Sequence, residues 1–159
     1  SNWQDYVSQS QDFMRPAEVD LLIGDPAKAK ESSFAMMDAG ADVMYAERFG
    51  VSDAAVERGM KAIGNVIDTS ADYPNTILAS AIWHMEATVD TAIKGVSSGT
   101  YVADDYGQYS FMAHGGGSLV LDEALVPADI VSLVKAKEAA IMDGSYTVVI
   151  NDDAPVSGK

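Results

Sequence analysis

Three short apolar runs, separated by segments with helical spacing, dominate the first half of the chain. The runs cover residues 18–23, 41–45 and 62–68. Between them, apolar residues recur every three or four positions, as they do on the buried face of a helix. The alternation predicts the order β-α-β-α-β and therefore a parallel sheet flanked by helices. In such sheets, ligands bind beyond the carboxyl ends of the strands.

The first predicted helix has recognisable ends. Its start is indicated by Asp25, whose side chain can accept hydrogen bonds from free backbone amides, and by Pro26, which loses no hydrogen bond at the first helical position. Gly40 predicts its end. For the second helix, Ser52 and Asp53 are the predicted cap.

The second half of the chain follows a different pattern. Its longest apolar series, residues 76–97, repeats every three or four positions and predicts one long helix that contains His84. The other predicted elements are a strand at 108–112, a glycine run at 115–117 followed by the apolar residues 118–121, a helix from Pro127 to Gly144, and a closing strand at 146–150. Together the elements predict a single α/β domain over residues 1–159, in which 1–17 and 151–159 are peripheral.

Composition and charge narrow the class of protein. Of the 159 residues, 48% are hydrophobic and 21% are charged, which is typical of a globular domain. The formal net charge of −14 would repel polyanions, so nucleic acid is excluded as a partner. Cysteine is absent, which excludes disulfides and thiolate metal sites. The chain begins with Ser1 and not with Met, and we therefore expect further sequence upstream.

The sequence contains no constellation suited to covalent chemistry. The two histidines, His84 and His114, lack the paired spacing of metal ligands, and no Gly-x-Ser-x-Gly motif of a serine hydrolase occurs. The glycine run 115–117 lacks the lysine of a phosphate-binding loop. It permits either a tight backbone path or the approach of backbone amides to a ligand. We therefore expect a protein that is not an enzyme and has no catalytic residue, metal or cofactor.

Three residues are candidates for a binding site. Asp68 ends a predicted central strand, where its carboxylate can accept hydrogen bonds from two adjacent hydroxyls of a ligand. Asp72 follows four residues later, and a role in a turn or as a helix cap explains its position well without a ligand. Phe49 follows the preceding strand, where its ring can stack on a planar or sugar ring. Their chemistry indicates non-covalent binding.

Several blocks of the chain, taken in order, resemble one family. Residues 24–31 and 38–45, then 62–68 and 72–80, then 112–119 are similar to segments of the basic membrane lipoprotein family. These proteins are purine-nucleoside-receptor-like substrate-binding proteins of ABC transporters. The resemblance spans most of residues 18–150.

The resemblance implies a fold and a site. The family has the type I periplasmic-binding-protein fold, in which two Rossmann-like α/β lobes close around a ligand, and this chain matches roughly the second half. Asp68 takes the place of the family aspartate that binds ribose-like hydroxyls. Gly115 and Gly116 would line the cleft, and Tyr45 or Phe49 would stand near the aromatic residue that stacks on the base.

Two blocks depart from the family pattern. Ala113 and His114 stand where the family often has Lys-Asp before the glycine turn. Residues 65–68 replace a shorter Gly-Val-Asp pattern. Both departures bear on which ligand the site would accept.

The resemblance also implies partners and a location. The expected partners are a nucleoside or small sugar-like ligand, a first lobe and an ABC permease. The location would be extracytoplasmic, periplasmic or tethered to a membrane through a lipidated cysteine upstream of this chain. Two alternatives remain open: a standalone flavodoxin-like enzyme or regulator with Mg²⁺ between Asp68 and Asp72, and a structural module that forms a homodimer through the surface of the absent lobe.

Overall fold

Among the residues that the structure describes, four strands form one mixed sheet at the centre of the fold. The computed structural model describes residues 25–103 and 107–149. In chain order these form α1 (Pro26–Asp38), β1 (Val43–Ala46), α2 (Val51–Arg58), β2 (Lys61–Val66), β3 (Ile77–Trp83), α3 (Glu86–Ser98), 3-10 turns at Gly107–Ser110 and Met112–His114, β4 (Gly117–Leu121) and α4 (Ala128–Met142). The predicted strand at 18–23 and both peripheral segments lie outside the described residues.

The sheet has the strand order β1-β2-β3-β4. The first three strands are parallel, and β4 runs antiparallel to β3, with Trp83 opposite Gly117. This confirms the predicted α/β class with a mostly parallel sheet and flanking helices. A loop, and not a helix, joins β2 to β3, so the strict alternation of strand and helix fails at that point.

The main hydrophobic core lies between the sheet and the pair α1 and α2. Met44 and Ala62 point from β1 and β2 into this core, whereas Val43 and Tyr45 on the opposite face of β1 are about half exposed. This alternation follows from the period of two in a strand. The buried members of the core are Met37, Met44, Val51, Ala54, Ala55, Ala62 and Ile77.

The first helix begins as predicted, but the second does not. Asp25 Oδ1 accepts hydrogen bonds from the amides of Ala27 and Lys28, at 3.0 and 3.2 Å. Helix α2 has no side-chain cap, and its N-cap residue is Gly50 in the left-handed region, with φ 95°. The predicted cap of Ser52 and Asp53 is therefore wrong. These two residues lie inside the first turn because the helix already begins at Val51, with Gly50 as its N-cap.

The predicted long helix over 76–97 is also wrong in its first third. Residues Ile77–Trp83 form the interior strand β3, and helix α3 starts only at Glu86. Asn75, just before the strand, has a φ of 63°, which a right-handed helix does not allow. The apolar run of β3 is nearly continuous because the strand lies between two neighbours and packs on both faces. Its apparent helical spacing is therefore accidental.

The two predicted strands in the last third of the chain do not form. Residues 108–112 lie in the two 3-10 turns, where the Ser110 hydroxyl donates to the Gly107 carbonyl at 2.6 Å. Residues 146–149 have no regular structure, and residue 150 lies outside the described part. The Tyr146 amide donates to Ala140 and the Lys137 ammonium lies 3.6 Å from the Tyr146 ring centroid, so Tyr146 packs back on the end of α4. The predicted final helix itself is confirmed.

Replacement of Gly50 by alanine tests the junction between α1 and α2. A Cβ atom at Gly50 would overlap the carbonyl oxygen of Pro26, and the positive φ adds backbone strain. We expect Gly50→Ala to lower the free energy of unfolding by about 3 kcal/mol. Gly59→Ala is the matched control, since Gly59 has a φ of 65° and open space around its Cβ position. It should cost about 1 kcal/mol. Equal losses in urea unfolding would contradict the overlap.

Candidate functional site

One edge of the sheet gathers the connections that carry the predicted site residues. The carboxyl ends of the parallel strands β1, β2 and β3 lie at this edge, and the antiparallel β4 begins there. Phe49 follows β1, Asp68 follows β2, and Gly115 and Gly116 precede β4. Tyr45 is the third of the four residues of β1, next to the carboxyl end of the strand. The candidate site is therefore this carboxyl edge, which spans the whole width of the sheet.

Asp68 does not project straight out from the edge, as its predicted place at a strand end implied. Strand β2 ends at Val66, which has a φ of 74°, and the chain then turns back over the sheet. Asp68 Oδ1 accepts a hydrogen bond from the Ser70 amide at 2.9 Å and a longer one from the Ser80 hydroxyl at 3.5 Å. The Ser80 hydroxyl also accepts from the Thr69 amide at 3.4 Å. The side chain of Asp68 remains exposed to solvent.

These hydrogen bonds hold Asp68 in its charged form. The Ser70 amide, followed by the hydroxyls of Ser70 and Ser80, lowers the pKa of the carboxyl below its usual value of 3.8. The carboxylate is therefore an acceptor at every physiological pH, which suits it to bind ligand hydroxyl groups.

A small hollow lies beside Asp68. Its volume is about 100 Å³, and its polar lining comes from Asp68, Ser70, Ser80 and Asp122. Pockets for small organic ligands usually measure about 300–1,000 Å³. Asp122 Oδ1 already accepts hydrogen bonds from the amides of Ala124 and Leu125. The hollow alone is therefore too small to enclose a nucleoside.

The two aromatic candidates differ in their surroundings. The Tyr45 hydroxyl donates to Asn65 Oδ1 at 3.0 Å, and partial burial together with the Glu47 carboxylate raises the pKa of Tyr45. Phe49 lies in the turn before α2, and 87% of its surface is exposed. Phe49 is thus the aromatic ring that can move onto a ligand, while Tyr45 is fixed by its partner.

The glycine turn has a tight backbone path. Gly115 has a φ of 80°, and a Cβ atom on Gly116 would overlap the carbonyl oxygen of Tyr109. The Gly116 amide donates to Phe111 and its carbonyl accepts from the His84 amide, both at 3.0 Å; the Gly115 amide donates to Met112 at 2.9 Å. Both amides are used inside the protein. The turn can therefore contact a ligand through van der Waals packing, but its two amides are not free to donate hydrogen bonds to it.

His84 and Ser118 also lie at this edge, although the elements predicted from the sequence did not place them there. His84 follows β3 directly, and its Nε2 lies 2.7 Å from the Ser118 hydroxyl of β4. The predicted long helix placed His84 on a helix face, far from any strand end. Only the pairing of Ile82 with Ser118 in the antiparallel ladder brings the two side chains together. The apolar run 77–83, which directly precedes His84, could have been interpreted as a strand, and it would then have placed His84 at a strand end.

The described residues contain no group of three or more His, Asp or Glu side chains that could hold a metal ion. Asp72, the proposed second ligand in the Mg²⁺ alternative, lies in the turn where its amide donates to the Thr69 carbonyl. Within the same part of the chain, no helix has the length and apolar character needed to cross a membrane.

Comparison with known proteins identifies the family. The model of the Bmp family, described as ABC transporter substrate-binding protein PnrA-like, matches residues 22–119, which is more than half of the chain. The chain belongs to the Bmp family. This membership confirms the family resemblance seen in the sequence, and the family is one of substrate-binding proteins.

Solved structures agree with this Bmp-family chain in fold. A transcriptional activator of the comK gene from Bacillus halodurans superposes with a TM-score of 0.63 at 22% identity, over 78% of this chain and 44% of that one. A solute-binding protein of an ABC transporter system from Aeropyrum pernix K1 superposes with a TM-score of 0.61 at 21% identity, over 82% of this chain and 46% of that one. The chain thus spans less than half the length of these structures.

A curated protein matches a short segment only. GDP-mannose 4,6 dehydratase 2 from Arabidopsis thaliana is 63% identical over 30 residues, which is 19% of this chain and 8% of the dehydratase. A match of that length carries neither the fold nor the activity of the dehydratase to this chain.

The carboxyl of Asp68 predicts a specific dependence of stability on pH. Its pKa is lower in the folded chain than in the unfolded chain, so it stabilises the fold at neutral pH and loses this effect as the pH falls through the folded-state value. We expect the stability difference between the wild-type chain and Asp68→Asn to shrink below pH 3.8. Chemical unfolding at several pH values measures this. A carboxyl titration midpoint at or above 3.8 in carbon-detected NMR would contradict it.

Proposed function

We propose that this chain is the ligand-binding lobe of an extracytoplasmic receptor that delivers a nucleoside or a small sugar-like solute to an ABC permease. The observation that carries the proposal is the carboxyl edge of the sheet, where an exposed aromatic ring follows β1, a charged acceptor follows β2, and a tight glycine turn precedes β4. Membership of the Bmp family supports a receptor in which these groups bind a solute.

Each of the three groups has a separate role in the proposed binding. Asp68 accepts hydrogen bonds from the vicinal hydroxyls of a ribose-like ring, since its low pKa keeps the carboxylate charged. Phe49 stacks on the planar part of the ligand, because its ring is exposed and unencumbered. Gly115 and Gly116 line the cleft with backbone alone, in a turn whose Gly116 has no room for a side chain beside Tyr109.

The proposed binding is non-covalent and requires a second surface. The site lies open on one edge of the sheet, and its hollow of about 100 Å³ cannot surround a nucleoside. In a two-lobe receptor the opposing lobe would exclude water and supply the remaining contacts. The first lobe, the permease and a lipidated membrane tether therefore belong to the proposal as partners of this lobe.

Titration with nucleosides tests the proposal. We expect inosine, guanosine and adenosine to shift the amide NMR signals of residues 65–70 and 115–118 at millimolar concentration, with ribose weaker because it lacks a ring to stack. Isothermal titration calorimetry should show weak or undetectable heat from this chain alone, because half a cleft leaves much of the ligand in water. Sub-micromolar affinity of the monomer would contradict the need for an opposing lobe.

Substitutions at the carboxyl edge of the sheet test whether Asp68 and Phe49 themselves bind the nucleoside. Asp68→Asn should abolish the nucleoside-induced shifts, and Phe49→Ala should weaken them for nucleosides but not for ribose. Asp143→Asn is the matched control, since Asp143 Oδ1 accepts a hydrogen bond from the Ser145 amide at 2.8 Å in the same kind of turn. Its pKa is likewise lowered by Ser145. Equal loss in Asp68→Asn and Asp143→Asn would count against a ligand role for Asp68.

A further inference from the structure

The side chains of His84 and Ser118 form a polar pair at the carboxyl edge that the proposed ligand contacts leave unused. His84 Nε2 lies 2.7 Å from the Ser118 hydroxyl, and both residues are half-buried. The other ring nitrogen of His84, Nδ1, has no hydrogen-bond partner among the described residues. Within that part of the chain, Thr69 Oγ1 is the one side-chain nitrogen or oxygen that is buried without a partner, so Nδ1 is open to solvent.

The backbone of β3 and β4 holds this pair in place. The His84 amide donates to the Gly116 carbonyl at 3.0 Å, which extends the antiparallel ladder between the two strands by one residue. Ile82 lies opposite Ser118 in the same ladder. Directly opposite residues share a face of the sheet, as do residues two apart in one strand. His84 and Ser118 therefore lie on the face that carries Ile82.

Asp68 is tied to the same face of the sheet. Ser80, whose hydroxyl donates to Asp68 Oδ1, lies two residues before Ile82 in β3. Two residues of a strand cover about 7 Å, so Ser118 lies about that distance further along the face than Ser80. A ligand whose hydroxyl groups bind Asp68 therefore has its next substituent within reach of the pair formed by His84 and Ser118.

The order of the groups across the sheet matches the order of the groups in a nucleoside. Phe49 follows β1, Asp68 follows β2, and His84 with Ser118 joins β3 to β4. Along a nucleoside, the base is attached at C1′ of the ribose, the vicinal hydroxyls at C2′ and C3′, and the 5′-hydroxymethyl group at C4′. With the base on Phe49 and the vicinal hydroxyls on Asp68, the 5′-hydroxyl lies on the β4 side.

We propose that His84, held by Ser118, binds the 5′-hydroxyl of the nucleoside and thereby selects ligands in which that hydroxyl is free. This inference rests on the proposed function. In a neutral imidazole one nitrogen donates and the other accepts, and the Ser118 hydroxyl can do either. Nδ1 can therefore act as donor or as acceptor toward a ligand. A hydroxyl is itself both donor and acceptor, so it fits Nδ1 in either tautomer.

The charge around the pair selects against a 5′-phosphate. Asp68 and Asp122 line the neighbouring hollow, and the whole chain has a formal net charge of −14. The amides of Gly115 and Gly116, which could otherwise bind a phosphate, already donate within the protein. A phosphate would therefore be repelled by two carboxylates without gaining these amide donors. The expected ligand class is the nucleoside and not the nucleotide.

Paired ligands test this subsite without any change to the protein. Adenosine and 5′-deoxyadenosine differ only in the 5′-hydroxyl, and NMR titration of residues 65–70 gives a dissociation constant for each. We expect adenosine to bind about three- to tenfold more tightly, which is the effect of one hydrogen bond. Adenosine 5′-monophosphate should bind more weakly than 5′-deoxyadenosine.

The outcomes separate this subsite from the proposed function. Shifts at 65–70 with equal constants for adenosine and 5′-deoxyadenosine would overturn the subsite and still support the proposed function. Adenosine 5′-monophosphate that binds as tightly as adenosine would overturn the selection against phosphate. The absence of any shift with all three ligands would overturn both proposals.

Substitutions assign the effect to the pair. His84→Ala and Ser118→Ala should each bring the ratio of the adenosine and 5′-deoxyadenosine constants close to one, whereas Ser118→Thr keeps the hydroxyl and should keep the ratio. His114→Ala is the matched control, since His114 lies in the turn before β4 and contacts the Tyr109 ring at a centroid distance of 5.7 Å. It should also keep the ratio. A purely structural role would weaken both ligands equally in His84→Ala, and an unchanged ratio there would overturn the proposal.

Discussion

The absence of a side chain at Gly64 is the constraint on which the candidate site depends. A Cβ atom there would lie 2.6 Å from both the Ser80 and the Thr69 hydroxyl oxygens. The open space lets the loop after β2 fold back over the sheet, where the buried Ser80 hydroxyl bonds to the Thr69 amide and to Asp68. The Thr69 hydroxyl is buried without a partner among the described residues, which costs about 1–3 kcal/mol. The same loop conformation lets the Asp68 carboxylate accept hydrogen bonds from Ser70 and Ser80, which hold it in place.

Local signals predicted the start of α1 and the final helix α4, but they did not predict strand β3. Asp25 and Pro26 mark the start of α1 by their own chemistry, which needs no tertiary contact. Strand β3 has no such marker, because its identity comes from β2 on one side and β4 on the other. A series that also matches helical spacing was therefore assigned to the wrong element. Tertiary context overrides local pattern most strongly in the interior of a sheet.

The same distinction applies to the candidate site. Its edge followed from the rule that parallel strands end together, which places Phe49 and Asp68 correctly relative to β1 and β2. The ligand roles of these residues remain predictions. The tie between Asp68 and Ser80, and the pair formed by His84 and Ser118, depend on the register of β3 with its neighbours. Register depends on which faces of all the paired strands are buried, so the spacing within β3 alone does not reveal it.

The glycine turn before β4 affects the thermodynamics of any encounter at this edge. Its amides at 115 and 116 and its carbonyl at 116 are already bonded within the protein. A ligand that binds here therefore contacts a turn whose backbone is already held by hydrogen bonds, and binding does not have to order it. Little conformational entropy is lost there on association. The entropy cost of ordering falls instead on the exposed ring of Phe49, beside the opposite edge strand of the sheet.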